Sequence, residues 1–175
     1  KAHRLITIND LELAAAVLLF AAVCLAVLQN RHQNCSAWPV VQLFLDNVTA
    51  KKNINKGTAK SPAARALLRL LSYLAKGSPV SWNAEFIAGV ENTESDYLSR
   101  HAHEFDTSPA ETYSEFFQKI SPQSVGYEIY QPTHNLLSAV FYALHNGSLP
   151  DRLVRRIRAP STVDESILGT FVART

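Results

Sequence analysis

Ser61-Pro62-Ala63-Ala64-Arg65-Ala66-Leu67-Leu68-Arg69-Leu70-Leu71-Ser72-Tyr73-Leu74-Ala75-Lys76-Gly77 carries both ends of a helix in its letters. Ser61 supplies an N-cap oxygen, Pro62 is pre-set for the first helical position, and Gly77 supplies the residue that closes the last turn. Leu67, Leu70, Leu71 and Leu74 share one face, with Arg65, Arg69, Ser72 and Lys76 on the other. Such a helix must bury its apolar face against a second layer, and the flanking sequence offers one. Residues 40–45, Val-Val-Gln-Leu-Phe-Leu, form a compact apolar run after Trp38-Pro39 that stops at Asp46-Asn47, and residues 82–87 read as another strand. Strand, helix, strand in this order implies parallel strands joined by a crossover, hence an α/β layer.

Working outward, residues 13–28 are an unbroken run of Ala, Val, Leu, Phe and Cys. The run falls short of the ~18 to 20 apolar residues of a membrane span and Glu12 stands at its start, so it reads as a core helix covered on more than one side, with Leu19 and Val23 inside. Residues 4–8 alternate as a short strand, and Asn9-x-x-Glu12 has capping-box spacing. After the strand at 82–87, Gly89 marks a turn and Asn92 a cap for a helix containing Asp96, Tyr97 and Leu98. The pattern changes past Arg100: residues 101–109 read as a polar linker, residues 111–120 and 134–145 as short helices, and Arg152, Arg155, Arg156 and Arg158 as a basic helix. His101 and His103 have no ligand partners at metal-site spacing and read as linker residues. The expected architecture is an α/β domain over residues 1–100, with an incomplete mixed sheet flanked by helices, followed by a mostly helical appendage over 101–175.

The chain has 175 residues, 47% of them hydrophobic and 18% charged, which excludes a disordered or collagen-like polymer and suits one compact domain, alone or with a tail. It contains no Met and starts at Lys1 within the strand-like segment, so it reads as part of a longer polypeptide. Two cysteines, Cys24 and Cys35, build neither a disulfide framework nor a structural zinc site and fit a reducing, intracellular setting, cytoplasmic or nuclear. The sequons at Asn34, Asn47 and Asn146 have no secretory context. The net charge of +2 is unevenly spread: between residues 47 and 84 the ionisable groups are Lys51, Lys52, Lys56, Lys60, Arg65, Arg69 and Lys76, with no acid. Phosphate suits such a zone because each neutralised phosphate releases condensed counterions; a solvated helix face is the plainer explanation.

Three acids occupy comparable places: Glu12 at the start of the apolar helix, Asp46 at the end of a strand, Asp96 in the first turn after Gly89. In an open parallel sheet, strand ends and following helix starts gather at one edge, where ligands bind. Crowded carboxylates repel unless a cation lies between them, and hard oxygen donors suit Mg²⁺ or Mn²⁺. Each acid also has a plain role: Glu12 completing the capping box, Asp46 capping the turn at Asn47, Asp96 favouring a helix dipole.

Phe86-Ile87-Ala88-Gly89-Val90-Glu91-Asn92-Thr93-Glu94-Ser95-Asp96-Tyr97-Leu98-Ser99-Arg100 resembles, without a gap, the H-I-P-G-x-x-N-x-x-A-D-x-L-S-R signature that closes the ribonuclease H domain of reverse transcriptases. Asp46-Asn47 through Ile54-Asn55-Lys56-Gly57 and Ser61-Pro62 resembles the D-N-x-x-A, I-N-K-G and S-P segments of that domain in tyrosine-recombinase retroelements of the DIRS-like class. Ile8-Asn9-Asp10-Leu11-Glu12-Leu13 resembles its I-N-x-L-E-L lead-in. The resemblance spans residues 4–100 and implies a ribonuclease H-like fold. It implies that Glu12, Asp46 and Asp96 are three of four metal-binding, catalytic acids holding Mg²⁺ (or Mn²⁺), the fourth lying on a strand ahead of residue 4. Asp10, beside Glu12 at the helix start, is a poor substitute for it. Phe86 stands where the family carries a histidine, and Ser95 and Ala88 replace Ala and Pro. Residues 159–171 resemble the approach to a recombinase helical domain.

The implied function is two-metal hydrolysis of the RNA strand in an RNA-DNA hybrid, by a domain of a retroelement reverse transcriptase polyprotein. Lys51, Lys52, Lys56, Lys60, Asn47 and Asn92 would position the hybrid; the upstream polymerase portion is the expected partner and a membrane is not. The rival is a non-catalytic nucleic-acid-binding or connecting module, which Phe86 favours.

Overall fold

The computed structural model describes residues 5–29, 39–76, 78, 80–100, 127–158 and 165–174. In chain order its elements are α1 (Ile8–Gln29), β1 (Val40–Leu45), α2 (Val48–Lys56), α3 (Pro62–Lys76), β2 (Ser81–Phe86), α4 (Thr93–Arg100), β3 (Tyr127–Pro132), α5 (His134–Asn146), α6 (Asp151–Arg158), α7 (Glu165–Leu168) and β4 (Gly169–Arg174). The protein is mixed α/β, with helices dominating and two two-stranded sheets among the described residues, β1 with β2 and β3 with β4. It divides into two compact units, Lys1–Phe86 with Gln131–Thr170, and Ile87–Tyr130 with Phe171–Thr175.

The start of α1 departs from the sequence reading. Residues 5–7 form no strand and Ile8 is already helical. The reason is a reciprocal cap two residues earlier than Asn9-x-x-Glu12. Thr7 Oγ1 accepts from the Asp10 amide at 3.3 Å, and the Thr7 amide donates to Asp10 Oδ2 at 3.1 Å. Asp10 is 1% exposed and also accepts from Thr7 Oγ1 at 2.9 Å and from Ser61 Oγ at 2.7 Å. Ser61 is meanwhile the N-cap of α3, its Oγ accepting from the Ala64 amide. One buried carboxylate therefore joins the first turns of α1 and α3.

α1 packs on α2, α3, α5, α7 and β1 through Leu13, Val17, Phe20, Ala21, Cys24 and Leu25, none of which retains exposed surface. Burying each of the larger of these side chains stabilises the fold by ~1.5 to 3 kcal/mol. Phe20 meets the Trp82 ring edge-on, with centroids 5.2 Å apart. The opposite side is open: Leu19 is 51% exposed and Leu11 48%, while Val23 is only half-buried, so the expectation that Leu19 and Val23 lie in the core is corrected. With 22 residues and a window of mean hydropathy 2.7, α1 is long and apolar enough to cross a membrane by length and composition; 44% of that window is buried within the protein. Cys24 donates its thiol to Ser78 Oγ at 3.2 Å, and burial pushes that thiol up to about 11, which keeps it protonated and unreactive.

β1 and β2 are parallel, in the register Val40 to Ser81 through Leu45 to Phe86. α3 matches its sequence: Leu67, Leu70, Leu71 and Leu74 are buried while Arg65, Arg69, Ser72 and Lys76 are exposed; Gly77, the expected closing residue, lies outside the described residues. Between β1 and α3 the sequence concealed a helix, α2, bounded by Asn47 and by Gly57 at φ 64°. Only Ala50 and Ile54 are buried along it. The region beyond residue 126 holds the expected helix at His134–Asn146, and α6 carries exposed Arg152 and Arg155. It is not helical throughout: β3 and β4 pair, with the Tyr130 and Phe171 rings 5.8 Å apart. β4 occupies the stretch expected to lead into a helical recombinase domain. The linker read at 101–109 and the helix at 111–120 fall outside the described residues.

Candidate functional site

Asp46 directly follows the last residue of β1, and Asn47 directly precedes α2. Asn47 is the N-cap: its Oδ1 accepts from the Thr49 and Ala50 amides at 2.9 and 3.0 Å. Its Nδ2 donates to Asn9 Oδ1 at 2.6 Å, tying the first turn of α1 to the start of α2. With Asp10 joining α1 to α3, the beginnings of all three helices meet at the carboxyl end of β1.

The caps are made by other residues than the two acids read from the sequence: Thr7 with Asp10 begins α1, in place of Asn9 with Glu12, and Asn47 is the N-cap of α2. Glu12 lies one turn along α1 from Asn9, on the same side. Its carboxyl is raised above the ordinary carboxylate range, first by burial and second by the charge of Asp46. The two carboxylates therefore lie within electrostatic reach of one another. Glu12 is half-buried and Asp46 exposed, so the pair opens to solvent.

Asp96 belongs to the second unit, where it lies in the first turn of α4. Its amide donates to the Asn92 carbonyl, as expected of a helix begun at Asn92. Its carboxylate holds Arg100 in a two-pronged pair, Oδ1 to Nε at 3.0 Å and Oδ2 to Nη2 at 2.9 Å. Both side chains are well exposed, so the pair contributes little to stability. Among the described residues no group of three or more His, Cys, Asp or Glu is gathered at metal-binding distance. Glu12 and Asp46 are suited to one hard divalent cation, since Mg²⁺ is commonly held by one or two carboxylates with water completing its shell.

The basic residues follow Asp46 in sequence and lie along α2, the turn after it and α3. Lys52, Lys56 and Lys60 are exposed and Lys51 half-buried. Arg65 folds back, donating from Nη1 to the Lys60 carbonyl at 2.6 Å, and so stiffens the turn between α2 and α3. Asn47 is largely spent on its cap and its tie to Asn9, while Asn92 is half-buried beside the turn at Gly89. Phe86, opposite Leu45 in the parallel register, is 47% exposed and brings no ligand atom to the strand end beside Asp46.

Sequence reasoning missed Asn55. Its side-chain amide docks on the β2 main chain, Nδ2 donating to the Ala84 carbonyl at 2.8 Å and Oδ1 accepting from the Ala84 amide at 2.9 Å. This pairing holds α2 along the outer edge of β2 and fixes where the lysines stand. Asn between two apolar-spaced positions gives no local signal of such a long-range contact. Comparison with known proteins gives no family: no protein-family model, curated protein or solved structure matches the chain.

Proposed function

We propose that the Glu12-Asp46 end of the first unit is a cation-assisted phosphodiester site, and that the chain is a ribonuclease H-like domain from a retroelement reverse transcriptase polyprotein. The observation that carries this reading is the acid pair itself: Glu12 and Asp46 interact electrostatically at a strand end followed immediately by a lysine-bearing helix. Mg²⁺ or Mn²⁺ held there would supply charge neutralisation and an activated water. The residues do the rest: Asn9 and Asn47 fix the spacing of the acids, and Lys51, Lys52, Lys56 and Lys60 attract the phosphates of an RNA-DNA hybrid, distinguished by its shape and 2′-hydroxyls. Asp96 is proposed as the third acid by resemblance, with Asn92 placed to contact the hybrid. The setting proposed is intracellular, with the upstream polymerase as partner and no membrane.

The Asp96-Arg100 ion pair favours a second reading, a non-catalytic nucleic-acid-binding or connecting module, because an acid neutralised by its own helix is a weaker ligand. Isothermal titration with Mn²⁺, beside a hybrid cleavage assay, separates the two. The first reading expects one cation site lost in both Glu12→Gln and Asp46→Asn, with cleavage dependent on the same residues. Hybrid binding that is indifferent to cation and to both substitutions, with no cleavage, supports the module.

A further inference from the structure

We infer that Asn146-Gly147 is a latent modification site: the asparagine is held intact while the last turn of α5 is closed and converts to aspartate and isoaspartate when that turn opens. The inference rests on α5 and its cap and is independent of the nuclease reading. Asn146 is the last residue of α5 and the one asparagine in the chain that precedes a glycine. Glycine has no side chain to shield its amide nitrogen from the preceding carboxamide. Asn47 and Asn92 instead precede Val48 and Thr93, whose branched Cβ atoms crowd the same path. The reaction needs only water. The Gly147 nitrogen bonds to Asn146 Cγ and loses its proton, the side-chain amide leaves as ammonia, and a five-membered succinimide results. Water then adds to either ring carbonyl and one C–N bond breaks. One product is aspartate; the other is isoaspartate, whose main chain runs through the former side-chain carbon.

The closed cap engages both reacting groups. Gly147 adopts φ 64° and its N–H donates to the Ala143 carbonyl at 2.9 Å, which ends the helix. The nucleophile therefore keeps its proton in a hydrogen bond. The Asn146 Nδ2 donates to the Tyr142 carbonyl at 3.3 Å, which turns the carboxamide toward the preceding turn. Ala143 and Leu144 are buried in the same turn, so it opens only at the expense of α5 packing. Neither product rebuilds this end. Aspartate puts a charge at the negative end of the helix dipole. Isoaspartate inserts a backbone carbon ahead of Gly147 and displaces its N–H from the Ala143 carbonyl. Residues 147–150 join α5 to α6, and α6 packs on α3, so conversion loosens the hold on the helix that carries Arg152 and Arg155.

Ageing of the 175-residue chain, followed by peptide mapping with isoaspartate detection, tests this. Conversion at Asn146 is expected to be at least about tenfold slower than in a peptide of residues 141–150, and to reach the peptide's rate in unfolding urea. Hydrogen exchange at the Gly147 amide should be slowed by the same factor, because both reactions pass through the opened turn. Ala143→Gly should speed conversion about fivefold through the helix propensity it loses. Should that variant unfold, the comparison of conversion with amide exchange in the wild type decides. Asn146→Gln, which would need a six-membered ring, serves as the unconverted reference. Conversion of the folded chain at the peptide's rate, with the Gly147 amide protected, overturns the proposal, since the reaction would then run from the closed cap. So does a chain in urea that stays intact at residue 146 for as long as Asn146→Gln does.

Discussion

The Asn47 side chain donates to Asn9 Oδ1 at 2.6 Å while accepting two amides of its own helix. A single amide thus begins α2 and anchors it to α1, and the acid beside each asparagine's turn is carried along: Asp46 next to Asn47, Glu12 one turn from Asn9. The acid pair is a consequence of this tie. Replacing Asn47 by Ala should cost about 1 to 2 kcal/mol through the lost cap. The same variant should let the Glu12 carboxyl titrate closer to its ordinary range, as the Asp46 charge moves away. Carbon-detected NMR titration of the Glu12 side chain reads this directly; an unchanged titration would show that another contact holds the pair together.

Asp10 makes a separate prediction about stability. It is buried and accepts from Thr7 and Ser61. Asp10→Ala leaves those donors without their partner, a penalty of roughly 1 to 3 kcal/mol for each unsatisfied buried group. Urea denaturation should show a loss of about 3 kcal/mol, whereas Ser61→Ala, which removes one donor and a cap, should cost about half as much.

α1 predicts a sharp difference between neighbouring residues. Phe20 is fully buried against Trp82 and Leu19 is half exposed. Phe20→Ala should destabilise by about 3 to 5 kcal/mol. Leu19→Asp should change stability by no more than ~0.5 kcal/mol, because its substituent meets water. Chemical denaturation monitored by tryptophan fluorescence tests both; collapse of the Leu19 variant would place the open side of α1 against something in solution.

The contrast between α1 and α3 shows what was legible in the sequence. In α3 polar and apolar residues alternate at helical spacing, so caps, length and buried face are all written locally, and the structure agrees at Ser61, Leu67, Leu70, Leu71 and Leu74. In α1 every face is apolar, so periodicity cannot say which side is buried; only the partners decide, and they turned Leu19 outward. The capping box was misplaced for a related reason. Asn9-x-x-Glu12 and Thr7-x-x-Asp10 have equal spacing, and the choice between them is made by Ser61, fifty-one residues away, whose hydroxyl binds Asp10. α2 escaped notice because Ala50 and Ile54 give too short an apolar stripe, though Asn47 and Gly57 frame it. At the candidate site, Glu12 and Asp46 were legible as acids at an element's end. Their adjacency depends on Asn9 and Asn47, polar residues whose long-range pairing leaves no pattern in the chain.

The Glu12 carboxyl supplies the last prediction, with a sign that separates function from stability. Its pKa is raised in the folded state, by burial and then by Asp46. The ionised form is therefore disfavoured by folding, and the destabilisation is fully present above the raised folded value. It fades as pH falls toward the unfolded-state value of about 4.3. Glu12→Gln should therefore melt slightly above the wild type at pH 7, on the order of 1 °C, and the gap should close as the pH is lowered to about 4. A divalent cation between Glu12 and Asp46 relieves the same repulsion. Added Mn²⁺ should accordingly raise the wild-type melting temperature at pH 7 and leave Glu12→Gln unmoved. Equal shifts in both proteins would mean that the ion binds elsewhere and that the pair serves another purpose. A wild type more stable than Glu12→Gln at neutral pH without metal would mean that Glu12 has a favourable partner outweighing Asp46.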